Sequence, residues 1–154
     1  MTASFEFTVR VYFEDTDAHG VVFHANYLKF FERARTEWLR AFGIEQQRLL
    51  DDKGPMFAVR STAVEYLKFA RLDDALLIVS KIARLGGASA EFDQEAWRLD
   101  SALPLGRELV ATGRIKVACV LWRESPPTGK NSPAKVLRPA PFPKQVRIAL
   151  TAKT

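Results

Sequence analysis

Two acids and both of the chain's histidines lie close together near its start: Asp15, Asp17, His19 and His24. A carboxylate can attack a carbonyl carbon or take a proton from water, and an imidazole can move protons near neutral pH. Gly20 lies among them and allows a tight turn beside a ligand. These groups suit acyl transfer, and a thioester in particular, because a thiolate leaves with less protonation than an alcohol or an amine.

A helix is predicted directly after these residues, from about His24 to Phe42. One apolar stripe at three- and four-residue spacings is formed by Tyr27, Phe30, Phe31, Ala34, Trp38 and Phe42. Gly43 stands where a left-handed C-terminal cap is expected. A helix N-terminus carries unpaired N–H donors and a partial positive charge, so its start would hold an oxyanion formed beside one of these carboxylates.

Other catalytic arrangements are missing from the sequence. It contains no Gly-x-Ser-x-Gly elbow, no Cys and His cluster with zinc spacing, and no phosphate-cradling glycine loop or dinucleotide fingerprint. No metal and no cofactor is therefore expected. The site would work with carboxylate, imidazole and backbone donors.

The segment around the acids resembles a known family signature. The matching residues are Asp15-Thr16-Asp17, Gly20-Val21-Val22, Phe23, His24, Tyr27 and the run FERART at 31–36. In order and spacing they are similar to the 4-hydroxybenzoyl-CoA thioesterase family of hotdog-fold proteins, and within it to the Tol–Pal-associated acyl-CoA thioesterases (YbgC-like). The similarity is dense over residues 8–42 and looser to about residue 123.

The resemblance implies a fold and a reaction. The fold is α+β, a hotdog in which a curved antiparallel sheet of about five strands wraps a long helix. The reaction is hydrolysis of an acyl-CoA thioester to free acid and coenzyme A, which is part of the substrate. Family members pair through their sheets, with active sites at the dimer interface near the helix start, so a homodimer or homotetramer is expected.

The resemblance also assigns roles to residues. The catalytic acid falls on Asp17, as nucleophile or general base, and His24 assists by orienting or polarising the substrate or water. Backbone N–H groups around Val22 to His24 would polarise the thioester carbonyl. Substrate-binding positions fall on Gly20, Val21, Val22, Phe23 and Tyr27, of which Phe23 and Tyr27 are side chains more typical of a core or a pocket wall.

Structural roles compete with these functional ones. A carboxylate before a helix often caps a turn, which suits Asp15 better than Asp17. Thr16 and Asn26 are expected to satisfy loop and helix-start donors. His24 would in that case be a hydrogen-bonding residue at the helix start.

Two further polar residues near the motif have open roles. His19 stands where relatives usually have glycine or another small residue, so it would perturb Asp17, narrow the pocket or, as loop side chains generally do, point to solvent. Glu32 is expected to form a surface ion pair with Arg33 or Arg35.

The rest of the chain is strand-like. Alternating apolar residues Phe5, Phe7, Val9, Val11 and Phe13 predict a strand over residues 5–14. A short helical turn is predicted within 44–52, and a strand meander over 56–69, 75–85, 88–99 and 107–123. Gly86 and Gly87 predict a hairpin between the second and third of these. One helix followed by closely connected strands predicts an antiparallel sheet packed on that helix.

Composition predicts one soluble domain with an extension. The 154 residues are 47% hydrophobic and 27% charged, as in globular proteins. We expect a hotdog thioesterase domain over 1–124 and a proline-rich, basic C-terminal extension over 125–154. Within that extension, 125–143 holds most of the chain's prolines and predicts an extended linker, and 144–153 predicts a terminal element, weakly helical or disordered.

The charge indicates which partners are favoured. The net charge is +5, and no acid follows Glu124. This balance fits a phosphate-bearing ligand, an acidic partner such as an acyl carrier protein, or an anionic membrane surface, or simply a basic surface. Four basic residues are candidates for the phosphates of coenzyme A: Arg60, Lys68, Arg71 and Arg84. Nucleic acid is not expected, because no binding motif accompanies the charge.

A cytoplasmic location is predicted. The chain has a single cysteine, Cys119, which excludes an internal disulfide and fits a reducing compartment. It lies in a strand-like run, so a buried structural thiol is expected. The N-terminus lacks a basic start followed by an apolar run, and no segment has membrane-spanning length.

Two other functions remain open at this point. One is a binding or scaffolding role toward an acyl carrier protein or a membrane-associated enzyme, with weak catalysis. The other is a hotdog dehydratase acting on a hydroxyacyl thioester. Family analogy alone does not identify the substrate.

Overall fold

An antiparallel sheet wraps around one long helix in the computed structural model, which describes residues 3–126 and 134–152. The strands are β1 Ser4–Arg10, β2 Met56–Tyr66, β3 Ala75–Leu85, β4 Ser89–Leu99, β5 Arg107–Glu124 and β6 Lys135–Pro139. The helices are α1 Asn26–Ala41, α2 Gln46–Asp51 and α3 Lys144–Thr151. The core lies between α1 and the sheet.

The strand order is β1-β3-β4-β5-β2, and every neighbouring pair is antiparallel. The hairpin predicted at Gly86 and Gly87 is confirmed between β3 and β4, where the Gly86 N–H donates to the Ser89 carbonyl (2.8 Å). The predicted meander is wrong for β2, which does not pair with β3. Because β1 and β4 occupy both edges of β3, β2 pairs with the remaining edge of β5 instead.

Residues after 134 belong to the same sheet and core, so the predicted linker over 125–143 is wrong for its described part from residue 134. β6 pairs with the end of β5 from Val120 to Glu124. Its one proline, Pro139, is the last residue of the strand, and β5 is the one described strand that pairs with β6. The missing N–H of a proline at such a position removes no hydrogen bond between strands. The helix predicted weakly over 144–153 is present as α3, and three of its residues are buried.

Helix α1 follows the predicted pattern with two differences. It begins at Asn26, because residues 24 and 25 form a turn before it. The left-handed cap is confirmed: Gly43 has φ +75°, its N–H donates to the Arg40 carbonyl (2.9 Å), and the Ile44 N–H donates to the Leu39 carbonyl (3.1 Å). The apolar stripe is buried except for Phe42, which follows the last helical residue and is 38% exposed.

The first strand is shorter than predicted. It ends at Arg10, and Phe13–Asp15 form a 3₁₀ turn. Val9 and Val11 point into the core as expected, but Phe13 is 81% exposed. The turn forms because the carboxylate of Asp15 accepts the backbone N–H of Tyr12 (2.8 Å), which ends the alternation.

Cys119 is fully buried in β5, as predicted. Its thiol lies 3.6 Å from the Pro141 carbonyl oxygen. Burial raises the pKa of this thiol, so it stays protonated at neutral pH and is a poor nucleophile. Cys119 is therefore a packing residue.

Gly113 on β5 tests how tightly α1 packs on the sheet. A Cβ atom there would lie 2.6 Å from Cε2 of the buried Phe31 ring. Gly113→Ala is expected to lower the free energy of unfolding by about 1–3 kcal/mol, as overpacking of a filled core does. Chemical denaturation would measure the loss. Gly87→Ala is the matched control, because no atom of the described residues lies within 4 Å of its added Cβ, and an equal loss in both variants would contradict the prediction.

Candidate active site

The loop between the 3₁₀ turn and α1 is a small hairpin with Asp17 at its turn. Thr16 and Val22 pair across it, and the Asp17 N–H donates to the Val21 carbonyl (2.9 Å). The turn closes with the Gly20 N–H donating to the Asp17 carbonyl (3.0 Å), and Gly20 has φ +76°. That left-handed conformation favours glycine.

The Asp17 carboxylate is accessible. Its side chain is 29% exposed, and one oxygen accepts the His19 N–H (2.8 Å), a side-chain turn that acids commonly form. The His19 ring is 89% exposed, with Nδ1 3.8 Å from the carboxylate. His19 therefore points to solvent, and among the described residues no hydrogen bond or ion pair to the second carboxylate oxygen of Asp17 is found.

Asp15 is the structural acid of the pair, as predicted. It is 3% exposed, and its carboxylate accepts two hydrogen bonds, one from the Tyr12 backbone N–H and one from the Asn26 side-chain amide (both 2.8 Å). Thr16 also acts locally, because its hydroxyl donates to the Phe13 carbonyl (2.8 Å). These bonds anchor the hairpin to the first turn of α1.

Two of the three N–H groups expected as donors at the helix start, those of Val22 and Phe23, are already used inside the fold. The Val22 N–H donates to the Ala70 carbonyl (2.9 Å), and the Phe23 N–H donates to the Asp15 carbonyl (2.8 Å). Both amides are thus used inside the fold and are unavailable to a substrate. Within residues 3–126 and 134–152, no acceptor is found for the N–H groups of His24 and Ala25.

His24 lies in an aromatic cluster. Its ring packs against Phe23 (4.4 Å between ring centres) and edge-on to Tyr66 (6.3 Å, 85° between planes). The Tyr66 hydroxyl donates to the His24 carbonyl (2.9 Å). In the described part of the chain, no hydrogen bond or ion pair joins His24 to Asp17.

The remaining substrate-binding candidates divide between core and surface. Val22 and Tyr27 are buried, whereas Phe23 is 41% exposed. Burial, with the nearby Tyr66 and Asp74, raises the pKa of Tyr27 to about 12. Its hydroxyl therefore stays protonated at neutral pH, and Tyr27 is suited to packing or to hydrogen-bond donation rather than to taking a proton.

A second loop, residues 67–74, supports the hairpin. Val21 pairs with Arg71, and the Val11 and Asp74 backbones are joined by a hydrogen bond (2.9 Å). Of the four coenzyme A candidates, Arg71 is therefore paired directly with the hairpin. Lys68 instead forms an ion pair with Glu108 (3.6 Å).

A shallow cleft lies between α1, the sheet and α3. Its lining is mostly apolar, including Phe57 and Phe92, with a polar stretch contributed by Glu32, Arg35, Thr36 and Gln46. A concave, mostly apolar lining with a few polar groups is typical of small-molecule sites.

The polar wall of the cleft corrects the prediction for Glu32. Its carboxylate accepts the Thr36 hydroxyl (2.8 Å), and no ion pair of Glu32 is found in the described residues. Arg35 donates to the buried Gln94 side chain instead (2.7 Å). Burial lowers the pKa of Arg35 to about 10, opposed by the charge of Glu32, so Arg35 remains charged at neutral pH.

The described residues hold no group of three or more metal-ligating side chains. They also contain no helix of sufficient length and apolar character to cross a membrane.

Tyr66 is a residue of the candidate site that was not predicted from the sequence. It is bonded to a carbonyl 42 positions away, and nothing in the alternation of β2 marks it. Its hydroxyl at the end of a strand is the sole sequence signal, and that signal is common among surface tyrosines.

The fold and the site define a class of protein: a hotdog in which an accessible acid precedes the N-terminus of the wrapped helix. Residues 19–105 match the thioesterase superfamily. The chain belongs to this family. The predicted fold, family and thioester hydrolase class are confirmed.

Individual relatives agree with this assignment. The acyl-CoA thioesterase YbgC of Haemophilus influenzae is 41% identical over 145 residues, 94% of this chain and 93% of that protein. The acyl-CoA thioester hydrolase YbgC of Escherichia coli O157:H7 is 47% identical over 102 residues, 66% of this chain and 75% of that protein. A solved 4-hydroxybenzoyl CoA thioesterase mutant, complexed with 4-hydroxybenzoyl CoA, shares the fold (TM-score 0.77, 18% identity, 96% and 99% coverage).

Proposed function

We propose that this chain hydrolyses acyl-CoA thioesters with Asp17 as the catalytic acid and His24 assisting. The observation that carries the proposal is the placement of Asp17. Its carboxylate is accessible at a hairpin turn that precedes a helix start, where the His24 and Ala25 N–H groups have no acceptor among the described residues.

The chemistry follows from these groups in two possible ways. As a general base, Asp17 takes a proton from water, and the hydroxide adds to the thioester carbonyl. As a nucleophile, Asp17 adds to that carbonyl itself, and water later hydrolyses the mixed anhydride. In both cases the oxyanion accepts hydrogen bonds from N–H groups of the helix start, and its collapse expels the coenzyme A thiolate. The thiolate takes its proton from Asp17 in the first route and from solvent water in the second. Neither route needs a cofactor.

The acyl group is proposed to occupy the cleft along α1. An apolar wall would bury an aliphatic or aromatic acyl chain, and each buried methylene contributes about 0.8 kcal/mol. The polar stretch around Glu32 and Arg35 would favour an acyl group with a polar far end.

A homodimer is proposed to complete the site. In the described part of the chain β2 pairs on one edge alone, with β5, so its other edge is open to a second copy. A twofold axis through that edge makes the pairing antiparallel. The Tyr66 end of one β2 would then lie beside the Met56 end of the other, bringing His24 of one copy toward the cleft of its partner. Light scattering that returns the mass of a single chain would contradict this arrangement.

Partner binding through the basic C-terminal residues is a further proposal. Lys135, Arg138 and Lys144 are exposed, and they suit an acidic carrier protein or, for peripheral association, an anionic membrane. The proposed location of the protein is the cytoplasm. A functional link to the Tol–Pal system would depend on partner binding by these basic residues. Replacing the three residues by Gln should abolish salt-sensitive capture of acyl carrier protein or anionic vesicles, and salt-independent binding or none would count against the proposal.

Thiol release from a panel of acyl-CoAs tests the function. The panel runs from short aliphatic through long-chain to hydroxybenzoyl groups, with a hydroxyacyl-CoA assayed for dehydration as well. Release of free thiol identifies the hydrolase, and the best substrate describes the cleft. Dehydration without thiol release would replace the proposal by the dehydratase.

His24→Ala is expected to lower kcat by about a hundredfold, the lower range for loss of an acid–base group. The expectation rests on the position of His24 at the helix start. Steady-state kinetics would measure it, with His19→Ala as the matched control, because the His19 ring is almost wholly in solvent. Equal kcat values for the two variants would remove His24 from the mechanism.

A further inference from the structure

Tyr66 lies where the open edge strand meets the start of α1. It is the last residue of β2, opposite Ala111 of β5, and about half of it is exposed. Its ring packs against Tyr27 (5.7 Å between ring centres) as well as against His24. The ring therefore has a packing role that phenylalanine would fill equally well.

The hydroxyl of Tyr66 makes a hydrogen bond that phenylalanine could not make. It donates to the carbonyl oxygen of His24 (2.9 Å). That oxygen lies outside the α1 ladder, because the Leu28 N–H donates to Ala25 (3.2 Å) instead. Among the described residues, the Tyr66 hydroxyl is the partner of this carbonyl.

Holding this carbonyl also orients a donor. The His24 C=O and the Ala25 N–H belong to one planar trans peptide unit, so they point in opposite directions. The Ala25 N–H is one of the helix-start donors without an acceptor in the described residues. While Tyr66 holds the oxygen on the β2 side, the N–H is kept on the opposite side.

We propose that Tyr66 is a positioning residue, whose hydroxyl holds the His24–Ala25 peptide with its N–H available to the oxyanion. The inference rests on the proposed function, since the oxyanion is that of the thioester reaction. Without the hydroxyl, rotation of this peptide turns its carbonyl toward the site, where an oxygen lone pair opposes the developing negative charge.

Tyr66→Phe tests the hydroxyl alone. We expect kcat to fall about tenfold with KM unchanged, less than the hundredfold or more that follows complete loss of an oxyanion donor, because the peptide still samples the productive orientation. Tyr12→Phe is the matched control: Tyr12 is 62% exposed, and no hydrogen bond donated by its hydroxyl is found in the described residues. Its kcat should equal that of the unaltered protein.

A readout without substrate separates this inference from the proposed function. The amide signal of Ala25 in ¹⁵N-resolved NMR of the substrate-free protein should shift or broaden in Tyr66→Phe and stay in place in Tyr12→Phe. An unchanged Ala25 signal, unchanged kcat, or a raised KM with unchanged kcat would overturn the positioning role. Absence of thioester hydrolysis in the unaltered protein would overturn the proposed function, whatever the NMR result.

Discussion

Asp17→Asn is expected to lower kcat by at least about a hundredfold on every acyl-CoA that the protein hydrolyses. Both proposed routes need the carboxylate, as a proton acceptor worth about 10²–10⁴ in rate or as the attacking group itself. An amide at this position neither takes the proton nor attacks. The measurement is thiol release under saturating substrate, with KM determined alongside.

The fold should tolerate this change. The turn depends on a side-chain oxygen that accepts the His19 N–H (2.8 Å), and the amide oxygen of Asn can accept the same bond. The unfolding temperature of Asp17→Asn should therefore stay close to that of the unaltered protein. A variant that keeps its kcat would exclude Asp17 as the catalytic acid.

Asp15→Asn is the contrasting variant two residues away. The buried Asp15 carboxylate accepts N–H groups from Tyr12 and Asn26. An amide has a single acceptor oxygen, and its NH₂ would face one of these donors. Loss of such a buried hydrogen bond costs about 1–3 kcal/mol, so the main effect of Asp15→Asn should be a lower free energy of unfolding. Comparison of Asp15→Asn with Asp17→Asn therefore distinguishes the structural carboxylate from the catalytic one.

Local signals in the sequence were enough to predict the frame of the site. The stripe from Tyr27 to Trp38 and the cap at Gly43 determine α1, because side chains three and four residues apart share a helix face. Gly86 and Gly87 predict a hairpin in the same way, from residues that are neighbours in the sequence. The placement of Asp17 before the helix is local as well, and the structure puts it on an exposed turn.

Contacts between distant segments could not be predicted. The Val22 and Phe23 amides are occupied because loop 67–74 and the 3₁₀ turn supply carbonyls, and neither contact leaves a pattern in the sequence. The place of β2 depends on which strand edges are already taken. Tyr66 reaches a carbonyl across the gap between strand and helix, and such a bond has no periodicity to reveal it.

The C-terminal segment shows the same limit in its strongest form. Its prolines favour a linker interpretation, but Pro139, Pro141 and Pro143 lie at the end of β6 and before α3, where no ladder bond is needed. The buried positions of α3 are Val146, Ala149 and Leu150. Eight residues are too few for that spacing to distinguish a packed helix from a frayed terminus.

Removal of residues 125–154 is expected to prevent stable folding. The described part of this segment buries Phe142, Val146 and Leu150, and the Trp38 indole donates to the Ala149 carbonyl (3.2 Å). Burial of each large side chain contributes about 1.5–3 kcal/mol, so their combined loss is comparable to the whole stability of a domain, about 5–15 kcal/mol. Circular dichroism with thermal unfolding would measure the result, and a truncated chain with an unchanged transition would restore 1–124 as a self-sufficient domain.

Point substitutions in α3 test its contribution to core packing without shortening the chain. Leu150 is 3% exposed and Ile148 is 54% exposed, two residues apart on one helix. Leu150→Ala should lower the free energy of unfolding by about 2–5 kcal/mol, as cavity-forming changes do, and Ile148→Ala by no more than about 0.5 kcal/mol. Equal effects would mean that α3 only covers the surface. A large difference would mean that the helix closes the far end of the core on Trp38, so that the residues wrapping α1 include the last ones of the chain.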